Sequence, residues 1–174
     1  HCKDFRLALD VGGHVGLWTM QLRKRFKWVH AFEPMADYRA CFEKNVPVIP
    51  ASNSFVRLHA CALGAQAGKV GMVVPALHGG IDSGGTHVGG DGDIPMYPLD
   101  DFNFETVDFL KVDVEGRELD VLKGARETIA RCKPCIIVEQ KKHKLLVNYG
   151  VSGTPAVDYL IMMGAQLKRE MSGD

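Results

Sequence analysis

The sequence predicts an α/β domain on an open, doubly wound, mostly parallel sheet, with a β-hairpin and loop insertion before the fourth core strand. Three observations predict it. Short apolar runs of strand formers alternate with stretches of helical spacing, the connections between them are brief, and the first run turns through glycines into a helix start. Such alternation implies parallel pairing through right-handed crossovers.

The first strand is Leu7-Ala8-Leu9-Asp10-Val11, and Gly12-Gly13-His14-Val15-Gly16 turns it into a helix running to about Arg25. Trp28 to Pro34 reads as the second strand and Ala36 to Asn45 as a helix stopped ahead of Pro47. Val56 to Leu63 reads as one third strand. The rhythm then breaks: Lys69 to Ala76 predicts an extra strand, His78 to Asp93 a mobile polar loop, and Ile94 to Leu99 a returning hairpin strand. Val107 to Val114 is the fourth core strand, Glu118 to Arg131 a single helix, and Cys135 to Gln140 a fifth strand, apolar enough to be buried on both faces. Thr154 to Met163 predicts a helix and Ala165 to Met171 a late strand.

The length of 174 residues suits one domain spanning the whole chain, open to truncation at either end. Lysine and arginine number 21, as do aspartate and glutamate, so no global field favours nucleic acid or an anionic membrane, and either partner would have to use a local patch. No apolar run approaches the roughly 20 residues of a membrane span, and the N-terminus carries no signal-peptide pattern. Five scattered cysteines suit reduced thiols and a cytoplasmic location, with Cys132 and Cys135 as packed thiols flanking a turn. Arg23, Lys24, Arg25 and Lys27 read as the positive end of the first helix complementing its dipole.

In an open parallel sheet, ligands bind beyond the carboxyl ends of the strands. Those ends carry Asp10 with the glycine loop, Glu33, Cys61-Ala62, Asp113 with Glu115, and Glu139. The loop reads G-G-x-x-G, with His14 where a dinucleotide site needs its second close-packed glycine, which argues against NAD or FAD. An acid at the end of the second strand suits a ribose diol. The expected ligand is a nucleoside with a short extension that is not a pyrophosphate.

Leu9 to Gly16, Ala31 to Pro34, Ala62 to Gly64, Pro98 to Asp101, Val107 to Ala125 and Pro134 to Glu139 together resemble the S-adenosylmethionine-dependent methyltransferases and, within them, the FkbM family. The most specific part is Lys111-Val112-Asp113-Val114-Glu115-Gly116 with Glu118. The resemblance implies a Rossmann-like sheet of the class I methyltransferase type. It implies that S-adenosylmethionine binds at Gly12, Gly13, His14 and Gly16, with Asp10 on its ammonium, Glu33 and Pro34 at the ribose, Cys61 and Ala62 along the adenine, and Asp113 nearby. The product would be S-adenosylhomocysteine, and the acceptor a hydroxyl on a small molecule or carbohydrate.

A hydroxyl acceptor benefits from a general base. Asp113 is the first candidate, with Glu115 and Glu139 behind it; a divalent cation on these three is the less favoured version, and no metal ligands are assigned. His78, Ser83 and His87 in the polar loop, with Lys141 and Lys142, are the acceptor-side candidates. N-methylation, a NAD-dependent oxidoreductase and a catalytically silent S-adenosylmethionine-binding domain are the competing readings. No residue pattern sets an oligomeric state.

Overall fold

A computed structural model describes residues 2–47, 54–77, 80–81 and 85–168. Its centre is a five-stranded, wholly parallel sheet of β1 (Leu7–Val11), β2 (Trp28–Phe32), β3 (Phe55–His59), β11 (Phe109–Val112) and β12 (Cys135–Val138). The order β12-β11-β1-β2-β3 puts β1 and β11 in the middle, and every residue of both is buried. Period-2 alternation divides their side chains between two cores. Leu7, Leu9 and Val11 join Leu110, Val112, Val121 and Leu122 on one face, while Ala8 joins Leu22, Phe26, Val29 and Phe109 on the other.

Helices α1 (Leu17–Leu22) and α2 (Ala36–Asn45) follow β1 and β2. Gly16 has φ +91°, and a Cβ there would stand 2.6 Å from Val46 Cγ2, so glycine lets α1 start against the end of α2. Between β3 and β11 lie the short strands β4 (Ala62–Leu63), β5 (Gly68–Val70), β6 (Met72–Val73), β7 (Ala76–Leu77), β8 (Gly80–Ile81), β9 (His87–Val88) and β10 (Ile94–Tyr97). Beyond β11 come α3 (Glu118–Lys123), α4 (Arg126–Cys132), α5 (Lys142–Tyr149) and α6 (Pro155–Met162), with α3 packed on α6.

Five expectations are corrected. The third strand is two: β3 ends at His59, and β4 leaves the main sheet to pair with β10, which also pairs antiparallel with β5. The polar loop is ordered in part, since β9 pairs with β6, and β8 with β7. The helix over 118–131 is broken at Gly124, whose carbonyl accepts the Asp100 amide at 2.9 Å and where a Cβ would lie 2.0 Å from the Gly64 carbonyl oxygen. Asp100 then caps α4, its carboxylate accepting the Glu127 and Thr128 amides at 2.9 Å each. Strand β12 lies at the sheet edge and is only partly buried. Residues 165–168 form no strand, and the remainder of that expectation lies outside the described residues.

On the face of β2 and β3, His30 Nδ1 and His59 Nε2 share a 2.9 Å hydrogen bond, and His59 stacks on Phe32 at 4.6 Å. Burial, with Arg57 adding its charge, pushes both imidazoles down to about 4 from the ordinary 6.5. Unfolded imidazoles therefore take protons near 6.5 and folded ones only near 4. The pair's contribution is intact above 6.5 and lost as pH falls towards 4. Thermal melts across that window should show a falling midpoint, with a shallower fall in a His30→Gln/His59→Gln variant; equal slopes would refute the assignment.

Candidate active site

The strand order reverses between β1 and β11, and the carboxyl ends of these strands nearly touch. Gly12 has φ +80°, and a Cβ there would sit 1.9 Å from the Asp113 carbonyl oxygen, so only glycine permits this approach. The Lys111 ammonium closes the join. At 3% exposure it donates to the Gly12 carbonyl at 2.7 Å and lies 3.3 Å from Asp10 Oδ1 and 3.5 Å from Asp113 Oδ2.

The glycine loop turns its amides inward. Gly12 and Gly13 donate to the Phe32 carbonyl at 3.1 and 3.0 Å, His14 to Glu33 Oε2 at 2.8 Å, and Gly16 to the Gly13 carbonyl at 2.8 Å. These four amides of the expected binding loop are thus taken up by protein partners rather than by a ligand: buried N–H groups need partners, and the residues at the end of β2 accept three of them. Gly13 and Gly16 pack against Phe42 of α2 and do not line the cleft. Asp10, expected on a ligand ammonium, is fully buried, accepting a 2.6 Å hydrogen bond from Thr19 and facing Lys111.

Eight expected residues do line one cleft at this edge: Gly12, His14, Glu33, Pro34, Cys61, Ala62, Asp113 and Glu115. Glu33 is held in place from both sides, Oε2 accepting the His14 amide and Oε1 the Met35 amide at 2.8 Å each. Burial raises its pKa against those two amides. His14 has φ +47°, its ring meets Tyr38 edge-on at 4.6 Å, and its Nε2 is buried without a protein partner. Phe32, Leu63 and Val114 make the rest of the near wall apolar.

Asp113 is the titratable centre. Burial raises its pKa, Lys111 opposes, and the Glu139 and Glu115 charges add to the rise. Lys141 Nζ bridges Glu115 Oε1 and Glu139 Oε1 at 2.9 Å each. Burial disfavours its charge, but the two carboxylates outweigh that and hold its pKa above the ordinary lysine value. Glu139 is pushed up by burial, yet hydrogen bonds to Lys141 and Asp113 bring it down overall. Glu139 lies outside the cleft lining, and Lys141 engages these two acids rather than the cleft.

The insertion covers the cleft with Met72, Thr86 and Val88. Two tyrosines pin it: Tyr38 OH shares a 2.6 Å hydrogen bond with Thr86 Oγ1, and Tyr149 OH donates to the Val88 carbonyl at 2.8 Å. Under this cover the cleft measures about 130 Å³. His87 is not in the cleft; its Nδ1 lies 2.9 Å from the Gly85 carbonyl and its ring packs edge-on to Tyr149. His78 and Ser83 lie outside the described residues, and Lys142 opens α5.

Sequence reading missed the role of Glu118 within its motif. It is 1% exposed and its Oε1 accepts the Val114 and Gly116 amides at 3.2 and 2.8 Å, fixing the turn through Glu115. It also missed Tyr38, Tyr149 and Arg117, whose guanidinium lies 4.4 Å over the Tyr149 ring. Lys111 did leave a signal: a lysine inside an otherwise apolar strand.

The family model described as "Methyltransferase FkbM domain" matches residues 10–149. The chain is 27% identical over 151 residues to "Methyltransferase 1" of Beauveria bassiana (strain ARSEF 2860), covering 70% of this chain and 59% of that protein. It also matches the crystal structure of methyltransferase FkbM from Methylobacillus flagellatus KT, with a TM-score of 0.58 and 20% identity over 92% of this chain and 36% of that one. The second likeness speaks for the fold alone. The chain thus spans under two thirds of either.

Removing one member of a buried ion pair strands the other charge and costs about 3–5 kcal/mol. Lys111→Met should lose stability on that scale in urea denaturation, and adding Asp10→Asn should restore part of it. A loss under about 1 kcal/mol would contradict the role given to Lys111.

Proposed function

The chain belongs to the FkbM methyltransferase family, and from that premise we propose that it binds S-adenosylmethionine in the covered cleft and methylates a hydroxyl of a small molecule or glycan, leaving S-adenosylhomocysteine. The observation that carries the reading is the pair of carboxylates, buried Glu33 and half-buried Asp113, set on either side of Gly12 in one cleft that is otherwise largely apolar.

The lining fits that cofactor. Glu33 keeps acceptor capacity beyond the two amides it holds, which suits a ribose diol; Phe32, Cys61, Ala62 and Leu63 suit an adenine face. The buried Nε2 of His14 is a polar atom awaiting a partner. When bound, the cofactor supplies an electrophilic methyl on a sulfonium, and the surrounding carboxylates favour that positive charge. Small-molecule sites run to roughly 300–1,000 Å³. At about 130 Å³ the cleft is small beside such sites, and the insertion held by the Tyr38–Thr86 hydrogen bond is the wall whose movement would enlarge it for a nucleoside.

Methyl displacement is mainly a problem of alignment, so holding the acceptor oxygen in line supplies most of the acceleration. Asp113 is the proton acceptor in this reading. Its raised pKa makes it a stronger base than an ordinary aspartate once ionised, and Lys111 keeps the ionised form accessible. The protonated form cannot act, so the rate climbs with pH through the Asp113 titration and levels above it.

Titration calorimetry should show binding of S-adenosylmethionine and S-adenosylhomocysteine but not NAD, and labelled S-adenosylmethionine should mark an alcohol in a panel of sugars, glycolipids and polyketides. Asp113→Asn should lower kcat by about 100-fold or more and remove the acidic limb of the pH profile, with S-adenosylmethionine still bound. NAD binding without S-adenosylmethionine binding would sink the reading. Full activity in Asp113→Asn would sink the role of that residue.

A further inference from the structure

A second surface lies at the opposite edge of the main sheet, where β1, β2 and β3 begin. Phe5, Lys27 and Phe55 lead into those strands and border an open groove of about 500 Å³, together with Arg23, Lys24, Arg25 and Phe26. Sequence reading treated the basic run as the end of a helix, but α1 stops at Leu22 and the cations sit on the turn that follows. Lys24, Arg25 and Lys27 are exposed and Arg23 is half-buried. None of the four is within ion-pair distance of a carboxylate among the described residues. Beside them Phe5, Trp28 and Phe55 are 39%, 43% and 49% exposed.

Three half-exposed aromatic rings lie next to four cations that have no carboxylate partner among the described residues, Arg23 donating to the Pro47 carbonyl at 2.8 Å and Lys24 to Gln21 Oε1 at 2.9 Å. They form an amphipathic patch: the rings suit the acyl boundary of a bilayer and the cations suit acidic headgroups. A nucleic-acid strand would need the same cations and open ring faces for stacking. Here each ring already has one face engaged within the protein. Trp28 and Phe55 stack on each other at 4.6 Å, and Phe5 has the Arg25 guanidinium 5.5 Å from its centroid and Phe26 at 5.2 Å. The chain is neutral overall, so neither a nucleic acid nor an anionic bilayer gains a long-range pull, and binding to either rests on the local patch.

We infer that this edge of the sheet, built from Arg23, Lys24, Arg25, Lys27, Phe5, Trp28 and Phe55, is a peripheral docking surface for an anionic lipid bilayer. The cofactor cleft is at the other end of the same strands, so a docked molecule presents that cleft to water.

The test needs neither cofactor nor acceptor. The protein is sedimented with vesicles of phosphatidylcholine alone and of phosphatidylcholine mixed with phosphatidylserine, and titrated in parallel against fluorescein-labelled oligothymidine. Binding should appear only with phosphatidylserine and fade as salt is raised. Each cation near an acidic surface is worth roughly fivefold in affinity, so Lys24→Gln/Lys27→Gln should bind about 30-fold more weakly with an unchanged melting midpoint. Should that variant melt early, Arg25→Gln and the salt series on the parent protein carry the test. Binding equally to both vesicle types, undiminished binding by a folded variant, or tighter binding to oligothymidine than to vesicles would each overturn the assignment.

Discussion

One buried ammonium holds the site end of this molecule together. Lys111 sits in the buried centre of the sheet and reaches an acid on each of the two central strands, Asp10 within β1 and Asp113 just after β11, as well as the Gly12 carbonyl between them. A buried ion pair is poor evidence of stability, because desolvating two charges offsets most of their attraction. Its value here is geometric. With Gly12 lacking a side chain, the two strand ends close to contact, and the ammonium fixes where Asp113 points and which way the Gly12 carbonyl faces. The glycine loop then satisfies the Gly12, Gly13 and His14 amides on the Phe32 carbonyl and the Glu33 carboxylate, which holds Glu33 in the cleft wall.

Much of the scaffold was legible because it is local. Apolar runs gave the five core strands, and α2 and α6 sit where their spacing and prolines placed them. What escaped depends on partners far along the chain. The third strand splits because Ala62-Leu63 finds β10, and the long helix breaks because Gly124 meets Gly64 and Asp100; neither contact leaves a trace in local pattern. The site shows the same division. Which acids gather at the sheet edge follows from strand ends, whereas their tasks follow from neighbours. Asp10 and Asp113 read alike in sequence, but Thr19 and Lys111 enclose the first and the cleft opens on the second. Lys141 reads as a residue for the acceptor because nothing local shows that Glu115, 26 positions earlier, joins Glu139 in holding it.

The covering insertion rests on few contacts. Its strands are two to four residues long, and two tyrosine hydroxyls from α2 and α5 tie it across the cleft. Such short pairings, poor in buried apolar area, are the parts of a fold that open at low free energy. The rigid and the loose therefore meet at one wall: Glu33, Gly12 and Asp113 are fixed by buried hydrogen bonds, while Thr86 and Val88 face them from the insertion.

Strand β1 lies between β2, which follows it closely, and β11, which arrives about a hundred residues later; the Lys111 side chain bonds a carbonyl 99 positions earlier in the chain. During synthesis from the N-terminus, β1, β2 and β3 can pair early, but one side of β1 stays an open edge with Asp10 lacking its counter-charge until β11 emerges. Closing so long a loop is slow, and an exposed apolar strand edge is a template for the wrong partner. The arrangement that gives the site its rigidity thus leaves the newborn chain with a long interval in which its central strand is unprotected.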